Sequence, residues 1–262
     1  MSVIAVRDRR INDEYFVATC THVNESAEID ASSGRRSAWF KKMHGRGLRI
    51  KVATLDGERV GFIYVMPIEV CPWGPLGRDL AAFPCLVAHS EVKGQGVGRA
   101  LVAAAEAEAI KQEKKGLVTY GYYHDRWFMP AAYFEKLGFA VAARRGDAAI
   151  LWKTFDSSAE APSFWEDKYR LEPVPGKVAV DLIFNTFCLT SDVEAQRVRE
   201  VAAAFGDAVA LREYDASDPA TLRRYGRSRG IFVDGEEIFW GYEAPREGIR
   251  DAISKALTRE RK

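Results

Sequence analysis

Cysteine, histidine and net charge are all scarce in this chain. It has four cysteines and four histidines in 262 residues. Cys20, Cys71, Cys85 and Cys188 are scattered, with no C-x-x-C pair and no zinc spacing. That excludes a disulfide scaffold and a structural zinc site, no metal is expected, and the default is a cytoplasmic protein with reduced thiols. Lys and Arg number 38 against 37 Asp and Glu, a net charge of +1. Nothing in that balance steers the chain to nucleic acid or to an anionic membrane. No apolar run is long enough to span a bilayer, and the opening MSVIAVRDRRINDEY lacks the apolar core of a signal peptide.

What is present is 47% hydrophobic residues over a length comfortable for two domains. The stretch around which the chain is organised is CLVAHSEVKGQGVGRALVAAAEAEA, residues 85–109. Leu86, Val87 and Ala88 read as a buried strand end. Lys93-Gly94-Gln95-Gly96-Val97-Gly98 reads as a loop, and a small-residue helix follows from about Arg99. Glycines at a helix start let a ligand approach the backbone, and free N–H groups at the positive end of the helix dipole cradle a pyrophosphate. Lys93 and Arg99 flank that cradle with positive charge. The spacing fits neither the Rossmann nor the P-loop pattern, so the loop alone leaves two readings open, a cradle or a packing turn.

Two motifs separate them. Lys93-x-x-Gly96-x-Gly98 resembles the acyl-CoA signature [Q/R]-x-x-G-x-[G/A] of the GNAT N-acetyltransferase superfamily, with Lys93 in place of the usual Gln or Arg. Further on, Ala132-Tyr133-Phe134-Glu135-Lys136-Leu137-Gly138-Phe139 resembles the same family's helix ending in Y-E-K-L-G-F. The resemblance covers residues 1–156. It implies a mixed, splayed β-sheet flanked by helices, and acetyl-CoA as cosubstrate. The backbone of Leu86, Val87 and Ala88 would hold the pantetheine arm in the manner of an added strand, and the backbone from Lys93 to Arg99 would hold the pyrophosphate. It also implies an amine acceptor on a small molecule or peptide, attacked in a ternary complex, and leaves a homodimer open.

Acyl transfer needs a base for the amine and an acid for the leaving thiolate. The family places a tyrosine before the Glu-Lys-Leu-Gly-Phe run, where this chain has Phe134. Tyr133 is adjacent but turned by about 100° along a helix. Tyr133, Tyr122 or water then stands in as acid, or the site has none. For the base, His89 follows the central strand expected over residues 80–89, Glu69 ends the third strand, and His124 ends the strand over residues 117–123. Each of these is more often structural than catalytic.

Residues 157–177 carry Pro162, Pro173, Pro175 and Gly176 and read as a linker, with Trp165 and Tyr169 expected to pack on a domain surface. Residues 178–262 repeat an α/β pattern in the order βαβαββα, the order of a thioredoxin-like domain. GIFVDGEEIFWGY is similar to a glutaredoxin hairpin, and the pair of domains resembles YoaP-type acetyltransferases. Cys188 takes the place of the nucleophilic thiol at a helix start. Ser191 replaces the resolving cysteine, and no proline lies in Ser228-Arg229-Gly230-Ile231. The readings to weigh are an α/β N-acetyltransferase, a thiol-dependent redox protein using Cys188, and a non-catalytic CoA-binding sensor.

Overall fold

The computed structural model describes residues 3–124 and 129–259. Their contacts divide the chain into two compact units. The first is Met1–Val23 with Ser37–Trp165, and the second is Asn24–Arg36 with Glu166–Lys262.

In the first unit, β1 (Ile4–Asp8), β2 (Arg49–Leu55) and β3 (Glu58–Pro67) form an antiparallel edge. Asp56 and Gly57 both have positive φ, 51° and 93°, so the β2–β3 connection is a two-residue turn that matches the strand twist. A short 3-10 turn and α1 (Glu14–Ala18) stand where residues 11–20 read as one helix. Then comes α2 (Ala27–His44), of which residues 37–44 belong to this unit. The central strand, expected as one run over 80–89, is broken into β4 (Ala81–Ala82) and β5 (Leu86–Ala88). Next are α3 (Val97–Lys111), β6 (Gly116–Tyr122), α4 (Ala131–Glu135), β7 (Ala140–Arg145) and β8 (Ala148–Thr154). Of the helix expected over 126–137, positions 126–128 lie outside the described residues; Pro130 is extended and is the N-cap, so the helix runs only over α4.

The sheet order is β1-β2-β3-β4-β6-β8-β7, with β5 paired to β3 alone among the described strands. β4 and β6 are parallel and the other neighbours antiparallel. One face is covered by α3 and α4 through Val97, Leu101, Ala105, Phe83, Phe134 and Phe139, all buried. The other carries Phe62 and Tyr64 against Phe16 and Phe40. This is a mixed α/β fold with a splayed sheet, as the sequence implied.

The second unit has its own sheet, in the order β10-β9-β11-β12, with β9 (Val178–Phe184), β10 (Val209–Asp215), β11 (Gly230–Val233) and β12 (Glu236–Ile238). β9 and β10 are parallel; β11 runs antiparallel to β9 and to β12. The helices are α5 (Leu189–Ala203), α6 (Pro219–Tyr225) and α7 (Arg246–Arg259). Asp218 caps α6, accepting from the Ala220 N–H at 2.9 Å, with Pro219 opening the helix.

The sequence placed residues 24–36 with the first domain, whereas their contacts lie in the second unit. Glu28 pairs with Arg197 at 2.6 Å and Arg35 with the buried Asp192 at 2.6 Å. The buried Arg36 donates through Nε to the Phe187 carbonyl at 3.0 Å. Buried charges are held where their partners are, and these partners are in 166–262. Within the stretch read as a linker, Trp165 donates through Nε1 to the Gly74 carbonyl at 3.0 Å in the first unit. Tyr169 belongs to the second, stacked on Phe232 with ring centroids 3.8 Å apart and donating to Asp181 at 2.8 Å.

Candidate functional site

The break between β4 and β5 opens the sheet. Opposite β3, Met66 faces Ala82, yet three residues back Ile63 faces Leu86, four residues on. One extra residue therefore sits in the β4–β5 strand at Phe83–Pro84, a β-bulge. Pro84 has no N–H to give a ladder. The last ladder bond toward β6 is Phe83 N–H to the Val118 carbonyl at 3.0 Å, and the Phe83 carbonyl accepts from the Thr119 hydroxyl at 2.8 Å. Beyond that point β5 and β6 part. A proline inside a strand run was the signal in the sequence that this strand would not stay paired.

The ladder with β3 decides which β5 groups face the opening. The His89 N–H bonds to the Val60 carbonyl, and the Cys85 carbonyl accepts from the Tyr64 N–H. Cys85, Val87 and His89 thus spend their backbone on β3, and by the two-residue period Leu86 and Ala88 present theirs to the split. Of the three residues expected to bind pantetheine, Val87 is turned the wrong way. On the opposite lip, Val118 and Tyr122 direct backbone groups away from β8, to Phe83 and to the Met129 carbonyl, so Tyr120 between them faces the split.

Just past β5 a 3-10 turn, Ser90–Val92, leads into the glycine loop. Gly94 and Gly96 have φ of 83° and 92°, a region that side chains disfavour. Gly96 is the N-cap of α3, and among the described residues a Cβ there would meet only Ile4, at 3.7 Å. The Lys93 and Gln95 N–H groups bond to the Ser90 and Val92 carbonyls. They are not available to a ligand, which corrects the expectation that the whole run from Lys93 to Arg99 donates. Among the described residues, the N–H groups of Gly94, Gly96, Val97, Gly98 and Arg99 have no acceptor. They converge at the positive end of a fifteen-residue helix. The split and this cradle are contiguous, one strand edge followed by one helix start. That arrangement fits a ligand with an extended amide-bearing arm and a diphosphate.

The catalytic candidates separate. Glu69 lies in a turn after Pro67, the residue that pairs with Ala81 at the closed end of the sheet. The split begins past Phe83, opposite Val65 and Tyr64, about 7–10 Å back along β3 at about 3.3 Å per residue. The Glu69 carboxylate is also committed, accepting from the Asp79 N–H at 2.7 Å. The structure does not bring Glu69 to the site. His89 ends β5 at the mouth of the split, half-buried, its ring 5.6 Å from that of Phe16. His124 follows β6 on the other lip, its ring 5.3 Å from that of Tyr122, whose phenol is pushed up by burial. Phe134 is a core residue, 1% exposed and packed edge-on against Phe83 and Phe139. Tyr133 points elsewhere, to the first turn of α3, where its Oη would lie 2.5 Å from a Cβ added at Gly98.

A cavity of about 260 Å³ lies at the other end of α3, lined by Arg9, Phe40, His44, Arg49, Glu108 and Lys111 among others. Its charges are spent internally. Lys51 holds Glu108 and Asp8, each at 2.6 Å. Arg49 donates to the His44 carbonyl at 2.9 Å, and Lys111 is a basic residue in the last turn of α3, complementing its dipole. We do not place the site there. In the second unit Cys188 is the N-cap of α5, and its N–H donates to Asn185 Oδ1 at 2.9 Å. Ser191 accepts from the Asn185 N–H at 3.0 Å. Arg229, paired with Glu194 at 2.7 Å, lies near Cys188.

The first unit has solved counterparts of low identity. A GNAT-family protein from Desulfovibrio desulfuricans is 18% identical, with 58% of this chain and 99% of that one covered, at a TM-score of 0.45. The yncA protein of Salmonella typhimurium, solved with its cofactor acetyl-CoA, is 18% identical over 60% of this chain and 97% of its own, at 0.43. The paia N-acetyltransferase of Thermoplasma acidophilum, solved with coenzyme A, is 18% identical over 58% and 99%, at 0.40. No curated protein matches the chain. Residues 46–141 match the family described as the acetyltransferase (GNAT) domain, and the bulged strand, the split and the glycine loop all lie inside that span.

Proposed function

We propose that the chain is an acetyl-CoA-dependent N-acetyltransferase acting on an amine of a small molecule or peptide. The observation that carries this reading is the continuity of the β5 free edge with the α3 cradle. Leu86 and Ala88 offer amide groups to the pantetheine arm, and five loop and first-turn N–H groups converge on the diphosphate. The arm runs from the cradle along Ala88 and then Leu86, so the thioester lies toward the Phe83–Pro84 bulge, and the acceptor amine must reach it there. Its nitrogen attacks the thioester carbonyl carbon, the C–S bond breaks, the amine gives up a proton and the thiolate takes one. A backbone N–H on the β5 edge polarises the carbonyl. No side chain is assigned as base: His89 follows Ala88 at the diphosphate end of the arm, and Glu69 lies beyond the closed end of the sheet. Free-thiol release from acetyl-CoA against a panel of amines tests the reading. Amine-dependent release supports it, and tight acetyl-CoA binding without release from any amine favours the sensor reading.

For residues 178–262 we propose a thioredoxin-like module. The sheet order β10-β9-β11-β12, with only β9 and β10 parallel, supports that reading. The setting of Cys188 at the start of a fifteen-residue helix beside Arg229 supports a monothiol role in it. Ser191 cannot resolve a disulfide, so a dithiol cycle within this site is not proposed. Labelling with a slow alkylating agent at pH 6.5 tests the thiol. Cys188 should react first, with that fraction lost in Cys188→Ser; labelling no faster than Cys20 or Cys85 would contradict the role.

A further inference from the structure

Gly98 is an ordinary helical residue in the first turn of α3, and nothing in its backbone requires glycine. What requires it is Tyr133. A methyl group at position 98 would lie 2.5 Å from the Tyr133 hydroxyl oxygen and 3.4 Å from the ring carbon that bears it, with Leu86 Cδ2 next at 3.9 Å. The contact is with the oxygen specifically; without it the ring would be at nearly normal distance. The hydroxyl thus sits at the seam where the β5 edge meets the α3 first turn. Among the described residues it has no hydrogen-bond partner. Tyr133 is half-buried, its ring edge-on to Phe134 at 5.2 Å. Burial raises the phenol and Arg99 opposes that, so at neutral pH the group keeps its proton and is a donor. A donor with no partner, held where N–H groups also lack acceptors, serves the same ligand they serve.

We propose that Tyr133 is a cofactor-contacting residue of the cradle: its hydroxyl donates to the diphosphate of acetyl-CoA, and Gly98 is glycine to leave room for it. This rests on the acetyl-CoA reading and replaces the role of thiolate acid considered for Tyr133 from the sequence. The acid would have to reach the sulfur, at the far end of the pantetheine arm from the diphosphate.

The test uses the full chain with acetyl-CoA and with S-acetylpantetheine, which has the thioester but no diphosphate. A charge-assisted hydrogen bond predicts that Tyr133→Phe raises the Kd and KM for acetyl-CoA about tenfold, with the loss in KM and not in kcat. KM for S-acetylpantetheine and the pH profile of kcat should stay as in the parent. Gly98→Ala should weaken acetyl-CoA binding, and Tyr133→Phe in the same chain should restore part of it, because the clashing oxygen is gone. A drop in kcat on both substrates with loss of the basic limb of the pH profile would overturn the proposal in favour of the acid. Unchanged acetyl-CoA affinity in Tyr133→Phe would overturn it outright. If the parent protein itself binds no acetyl-CoA, the underlying reading fails, which is a different result from either.

Discussion

Cys71 is enclosed at the start of the loop after β3, 3% exposed, and burial pushes its thiol up to about 12. In the unfolded chain the group titrates near its ordinary value of 9.0. Between those two values the folded state binds the proton that the unfolded state has lost, so stability falls as pH rises through that window. Cys71→Ala should flatten the fall, read as the slope of urea midpoint against pH from about 9 to about 11; an unchanged slope would assign it to other groups. Phe134 carries a second residue-scale prediction. It occupies the place where the family has tyrosine, and Phe134→Tyr looks like a repair. Its ring is enclosed by Phe83 and Phe139, so the added hydroxyl would be buried without a partner. The expected cost is about 1–3 kcal/mol of stability, with no gain in kcat. A faster enzyme of unchanged stability would contradict this placement.

The bulged central strand is the element on which the site depends. Thr119 closes it by donating to the Phe83 carbonyl. Thr119→Val leaves that buried acceptor unmet and should cost about 1–3 kcal/mol in urea denaturation, with a higher KM for acetyl-CoA as the split loses its shape. A stability loss below about 0.5 kcal/mol would show that the bulge is held by other contacts. The glycine loop and the helix after it were legible because each is a local pattern: alternating glycines and a small-residue run. Of the bulge, only Pro84 was legible, and residues 80–89 nonetheless read as one strand. The register was not legible, because that is set across the sheet by β3. Glu69 and His89 looked equivalent in sequence, each at a strand end. Only the pairing of Pro67 with Ala81 puts Glu69 at the closed end of the sheet. Tyr133 was singled out for its neighbour's sake; its contact with Gly98 joins residues 35 apart and has no local signature.

At the scale of the whole chain, segment 24–36 reads by position as part of the first domain and by contact as part of the second unit. Its commitments are charged, and at Asp192 and Arg36 buried: Glu28 to Arg197 and Arg246, Arg35 to Asp192, Arg36 to the Phe187 carbonyl. A chain truncated after Trp165 keeps the segment and loses every one of these partners. Limited trypsin digestion should then cut first at Arg35 or Arg36, sites protected in the full chain; equal protection in both would mean the segment is held by the first unit alone. The same division means that the cradle and the split lie wholly in the first unit, and the central claim concerns them. The most direct test is calorimetric titration of acetyl-CoA into the full-length protein and into Gly96→Glu. Position 96 has positive φ, and among the described residues a Cβ there would meet only Ile4, so glutamate there places bulk and negative charge in the cradle. The account predicts one-site binding by the parent and at least a hundredfold loss in the variant, with unfolding midpoints alike. Equal affinity in the two proteins, or none in the parent, would mean that the glycine loop is only a turn.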